Sequence, residues 1–342
     1  SLGMTDGGEG TFCHCANCIK FYSNVKNSHG FENLSNFYHR WCNDIINGVL
    51  SKYSDKWFGF LAYHEVYDPP DKVDVHPKFI PFITDDRLKW SQEKYRKAGY
   101  AVTQRWNEHA DLIGFYEYLY GNLYFLPRIY FHQMANNYRY AYENGVRCHY
   151  AEAYPNWGEG PKYYLSLKLQ WNPYFDIDET LKQWYNLAVG KEAASYLKEY
   201  FEVWENFWTG KVLSSKWVNE QSEFLRFDDV SYIDFVTVSM VEKCDYLLKE
   251  ILESPKSVQQ KIRAEYFSKT WEYYRSGIYA YMLAVKNDDF IRFLKIKRND
   301  IEQKKQFYLN KRLEYIKFFK SHKDFSFVIK YKDFLHDFVQ SI

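Results

Sequence analysis

Over its first 154 residues the chain alternates between short continuous runs of apolar and aromatic positions and longer stretches with apolar residues at helical spacing. The runs are SLGM (1–4), WFGFLAY (57–63), KFIPFI (78–83), DLIGFYEYLYGN (111–122) and VRCHYAEAY (146–154). Continuous rather than alternating apolarity is what a parallel strand buried on both faces requires. Between the runs, residues 32–53 carry Leu34, Phe37, Tyr38, Trp41, Ile45, Ile46 and Leu50 along one stripe, the spacing of an amphipathic helix. Residues 85–110, 126–145 and 160–171 read the same way, with Gly145 stopping one helix. Pro81 weakens the second internal run, and Pro69-Pro70 forbid regular structure after the first.

This strand–helix alternation predicts an α/β fold with a parallel sheet wound by right-handed crossovers. Five strands suit an open doubly wound sheet or the last five strands of a (β/α)8 barrel. No glycine-rich phosphate fingerprint follows any strand, which lowers the nucleotide-binding version. From Asn172 onward the pattern is helical: 178–208, split near Val189-Gly190, then 231–252, 257–285 and a Lys-rich stretch after Asp288. FSFVIKY (325–331) is the one late strand candidate. The expected division is therefore a partial barrel over residues 1–172 and an α-helical domain over 173–342.

In a barrel of this kind, chemistry sits at the C-terminal ends of the strands. Those ends carry Asp6, then Tyr63, His64 and Glu65, then Asp85-Asp86, then Glu117, Tyr118 and Tyr120, then Glu152, with Trp157 just beyond. Paired carboxylates beside aromatic rings are the inventory of glycoside hydrolysis: one acid protonates the leaving oxygen and a second carboxylate attacks or activates water. Asp85-Asp86 precede a helix and read more simply as an N-cap, and His64 as a partner for the proline-rich loop. Glu117 and Glu152 each interrupt an otherwise apolar strand, where a carboxylate is out of place without a purpose.

Composition changes this picture little. Net charge is +1 from 45 basic and 44 acidic residues, so nothing steers the chain toward nucleic acid. No apolar run approaches the roughly 20 residues that span a bilayer. An aromatic content of 21% would serve sugar stacking, but the rings are spread evenly and do not by themselves mark a sugar binder.

Several segments resemble the domain-of-unknown-function 4838 family: TFCHCANC after a T-D-G-G turn, AYHEVYDPP, GFYEYLYGN, GVRCHYAEAY, and above all the L-x-W-N-P-x-x-D of LQWNPYFD within residues 163–205. The resemblance covers roughly residues 1–205. It implies a bacterial glycoside-hydrolase-like protein, distantly similar to α-glucuronidases, with a (β/α)8 barrel followed by a helical domain. It further implies that Ser1 falls within the fourth barrel strand, that Asp6 lies near the general acid, and that Glu117 on strand seven is its partner. Family members more often carry Asp before that tyrosine, so Glu117 is a departure. A periplasmic or extracellular setting and a uronic-acid-containing glycan also follow from the resemblance alone.

Three readings of function stand at this point. The first is a glycoside hydrolase with Glu117, Glu152 and Asp6 as catalytic carboxylates and Tyr63, His64, Tyr118, Tyr120 and Trp157 against the sugar. The second is a barrel that binds carbohydrate without cleaving it. The third is a metal-dependent hydrolase built on Cys13, Cys15 and Cys18, whose C-x-C-x-x-C spacing suits packed thiols, a structural zinc completed by His14, Cys42 or Cys148, or a Cys13–Cys18 disulfide. No other cofactor is expected.

Overall fold

A computed structural model describes residues 1–3, 12–22, 24–121, 124–153, 157–219 and 224–321. Four of the five predicted strands form one parallel sheet in chain order: β1 (Phe58–Ala62), β2 (Phe79–Thr84), β3 (Ile113–Tyr118) and β4 (Val146–Glu152). The helix α1 (Ser35–Leu50) precedes the sheet, α2 (Glu93–His109) joins β2 to β3, and α3 (Phe131–Glu143) joins β3 to β4. Gly145 closes α3 at a left-handed φ of 79°, a conformation glycine adopts without a Cβ penalty. Residues 1–3 form no strand, yet Leu2 donates its N–H to the Gly59 carbonyl at 3.0 Å, against the outer edge of β1. Met4 and the FSFVIKY segment lie outside the described residues. The described sheet is open, not a closed barrel.

The two faces of the sheet meet different partners. Phe60, Ala62, Phe79, Ile83, Ile113 and Phe115 share one face and pack with Tyr38, Cys42 and Ile46 of α1 and Val102 and Trp106 of α2. Tyr116 and Tyr118 point the other way, into a second and larger core. Tight packing explains one sequence choice: a Cβ at Gly114 would meet the Phe82 ring at 2.7 Å.

Beyond β4 come the longer helices α4 (Gly160–Trp171), α5 (Ile177–Val189), α6 (Ala194–Thr209), α7 (Val238–Glu253), α8 (Val258–Ala284) and α9 (Ile301–Ser321), with shorter helical segments between some of them. The split at Gly190 is present, at φ 90°. Helix α8 opens on a complete capping box, Ser257 with Gln260. It runs through the larger core, where Trp204, Trp208 and Trp271 are buried. That core is continuous from Leu88 to Phe319, so the strand ends and the C-terminal helices share apolar packing. No described helix is long and apolar enough to cross a membrane.

Candidate functional site at the strand ends

The C-terminal ends of the strands hold a set of charged groups taken almost wholly out of water. Asp86 caps the short turn Arg87–Ser91 by accepting from the Leu88 N–H at 3.3 Å. It also takes the Arg128 guanidinium at 2.5 Å and the Leu225 N–H at 3.2 Å. Its neighbour Asp85 is ion-paired with Lys89 at 2.9 Å and accepts from the Trp90 indole at 2.8 Å. Burial pushes the Asp85 carboxyl up, but the neighbouring charges of Lys89 and Arg87 hold the group below the usual carboxylate range. The N-cap reading of this pair thus describes Asp86, and both groups are bound into the frame.

Glu117 and Glu152 are not brought together. In the β3–β4 register Glu117 stands beside Ala151 while Tyr118 stands beside Glu152, so the two carboxylates leave opposite faces of the sheet. Glu117 follows Phe115 toward the helix layer, is 4% exposed, and accepts from Arg87 at 2.9 Å. Arg87 also donates to the Ile83 and Tyr116 carbonyls and lies 3.5 Å from the centre of the Phe115 ring. Burial pushes the Glu117 carboxyl up to about 7, with Arg87 opposing.

A raised folded-state pKa contributes stability that is complete below about 4.5 and lost as pH rises through about 7. Relative to the parent, Glu117→Gln is therefore expected to gain stability on going from pH 5 to pH 8, by on the order of 1–3 kcal/mol. Urea midpoints of both proteins at the two pH values measure it. Parallel pH dependences would reject the assignment.

Glu152 has a different setting. Half-buried at the end of β4, it accepts from the Tyr116 hydroxyl at 2.5 Å and the Tyr120 hydroxyl at 2.7 Å. Tyr118 lies on the same face, between those rings. From the helical region, Phe224 packs on Tyr118 and Phe227 on Tyr120. The segment 224–227 thus reaches over the strand ends on the Glu152 side.

At the end of β1, Tyr63 is buried and meets the His64 ring edge-on at 3.9 Å. His64 has a left-handed φ of 46°, a strained choice for a residue with a side chain, of the kind that gathers at functional sites. Asn27 fixes it by donating to its carbonyl at 2.5 Å. Beside it Glu65, 7% exposed, lines a cleft of about 640 Å³ with Phe12, His14, Lys26, Phe31 and Glu32.

Trp157 is 1% exposed, stacked on Phe319 at 4.5 Å and edge-on to Tyr273, and presents no face to solvent. Asp6 lies outside the described residues. Cys13, Cys15 and Cys18 converge with their sulfurs all within 4.8 Å of one another, and all are free thiols. They could hold a metal; Cys42 is sealed in the sheet–helix core and does not join them.

Sequence reasoning missed the buried cations Arg87, Arg128 and Lys162. Lys162 donates to Glu159 at 2.6 Å and to the Tyr120 carbonyl at 2.6 Å, while Tyr274 of α8 donates to the other Glu159 oxygen. Burial pushes the Lys162 amine down to about 8. The signal was there in LPRIYF, where Arg128 is a single cation inside an apolar run.

A family model described as domain of unknown function (DUF4838) matches residues 1–202. No curated protein and no solved structure matches the chain.

Proposed function

The chain belongs to the DUF4838 family, and on that footing we propose that it is a carbohydrate-active protein whose saccharide lies across the strand ends at Glu152 and is hydrolysed there. The observation that supports this most is the Glu152 carboxylate itself, held by the hydroxyls of Tyr116 and Tyr120 beside Tyr118. A carboxylate fixed by two donors and flanked by rings suits a group that must sit at one point beside a sugar. Asp6, at the end of the first predicted strand, is the sequence candidate for the second carboxylate. Glu117, on the other face and saturated by Arg87, acts as a frame residue in this reading. The uronic-acid version gains no support from Arg87 and Arg128, since Glu117 and Asp86 engage them.

The second reading, binding without cleavage, is favoured by one observation: Glu117 and Glu152 do not face each other across a pocket. Release of reducing sugar from a panel of plant and host polysaccharides decides between the two. For a hydrolase, Glu152→Gln is expected to cut release by about 10²–10⁴-fold while the fold and binding persist. Saturable binding with no release from any member selects the second reading. The absence of both binding and release sinks the proposal.

A further inference from the structure

We propose that Cys13, Cys15 and Cys18 form a three-thiolate site for a single zinc ion. Zinc–sulfur bonds of about 2.3 Å at tetrahedral angles place neighbouring sulfurs about 3.8 Å apart. Here the Cys15 and Cys18 sulfurs stand 3.6 Å apart, and all three lie within 4.8 Å of one another. The thiols need move by only about an ångström in side-chain rotation to share one ion. A disulfide would need two of these sulfurs at about 2.05 Å and would leave the third with no reason to converge.

The backbone sets this convergence before any ion arrives. The Cys18 and Ile19 N–H groups both donate to the Cys15 carbonyl, at 2.9 and 3.0 Å, folding the C-x-x-C half into a turn. Phe21 then donates to the Cys18 carbonyl. At the other end, the hydroxyl of buried Tyr22 donates to the Cys13 carbonyl at 2.6 Å. Tyr22 is itself seated edge-on against Phe37 of α1, which also meets Phe12. The loop is thus tied to helix α1 on both sides of the cluster, and a preformed site loses less order on binding than a mobile one.

Among the described residues no fourth ligand joins the three sulfurs. The His14 ring lies edge-on to Tyr22 instead, and Cys13 and Cys15 are exposed. Binding releases the remaining thiol protons to solvent, so uptake weakens as pH falls.

The test uses the full chain, reduced and metal-free, titrated with Zn²⁺ against a chromophoric chelator and with Co²⁺ for its absorption spectrum. Expected are one ion per chain, thiolate-to-cobalt charge-transfer absorption and the intense visible bands of a tetrahedral site. Losing a metal's outer-sphere partner costs about 10–100-fold in affinity, so Cys15→Ser and Cys18→Ser, which each remove a ligand, are expected to exceed that loss. Cys148→Ser, on β4 and outside the cluster, should leave affinity unchanged. Circular dichroism of the metal-free variants separates a lost ligand from a lost fold. An octahedral cobalt spectrum, or equal affinity in the parent and both ligand variants, overturns the proposal. So does a disulfide within the cluster in protein isolated without reductant.

Discussion

Below about pH 6.5 the protein is expected to lose stability steeply, because it holds three imidazoles in the neutral state, one fully buried and two half-buried. His39 is fully buried among Phe60, Phe79 and Trp106, with ring centres 5.0–5.8 Å away and neither ring nitrogen hydrogen-bonded. Burial pushes it down to about 3. His149 is held near 4 by burial and by the charge of Arg87, while its Nε2 meets the Tyr138 hydroxyl at 2.7 Å. His29, stacked on Tyr67 at 3.7 Å, is likewise held near 4, chiefly by burial.

Each folded-state value lies below that of the unfolded chain, about 6.5. The unfolded state therefore binds more protons between the two values, and stability present above pH 6.5 is lost as pH falls toward 4 and 3. The slope approaches about 1.4 kcal/mol per pH unit for each histidine. Three together remove several kcal/mol by pH 4, a large part of the roughly 5–15 kcal/mol that holds a domain folded. Glu117 works in the opposite direction and recovers part of this between pH 7 and 4.5.

His39→Leu isolates the effect, since the site is apolar and no hydrogen bond is sacrificed. Urea midpoints from pH 8 to pH 4 should fall less steeply in the variant, with the gap widening by on the order of 2–3 kcal/mol at the acid end. A constant gap across that range would mean that His39 titrates normally and that the acid loss lies elsewhere.

The strands that feed this core were legible because parallel strands buried on both faces read as unbroken apolar runs. Residues 57–63 and 111–118 announce β1 and β3 with hardly a polar position. Pro81 looked like an obstacle, yet it stands in register with Phe60 of β1, while the pairing of β2 with β3 begins only after it, over Phe82–Thr84. What the residues could not reveal was register. That Glu117 and Glu152 share a sheet end was readable; that they leave opposite faces depends on Glu117 standing beside Ala151 rather than Glu152. Alternation has a period of two, so an offset of one residue reverses the answer. Partner choice was equally hidden. Arg87 meets Glu117 30 positions away, Arg128 meets Asp86 42 positions away, and Leu225 meets Asp86 139 positions away. Trp157 carried the composition of a sugar platform, and only long-range packing against Phe319 moves it into the core.

Those long-range contacts set the second large effect. Replacing Asp86 with Asn is expected to cost about 3–5 kcal/mol, the range for leaving one member of a buried ion pair without its partner. Asp86 is 1% exposed and Arg128 fully buried, so water cannot replace the lost charge. All the contacts of Asp86 come from donors: Leu88 N–H and Arg128 to one oxygen, Leu225 N–H to the other. An asparagine amide must turn its own donor toward at least one of them, adding a clash of like groups to the missing charge. The damage also travels. Arg128 donates to the Tyr118 carbonyl at 2.6 Å, and its own carbonyl takes Lys162. Lys162 is paired with Glu159, which holds Tyr274 of α8. One carboxylate thus anchors a chain of contacts from the end of β2 through β3 and α4 into the helical core. The double variant Asp86→Asn with Arg128→Met removes the uncompensated charge, so it should be more stable than Asp86→Asn alone. Urea unfolding of the parent, both single variants and the double closes the cycle. A single-variant loss under about 1 kcal/mol would show the pair to be solvated. A double variant no better than the sum of the singles would place the cost in lost hydrogen bonds and packing rather than in the stranded charge.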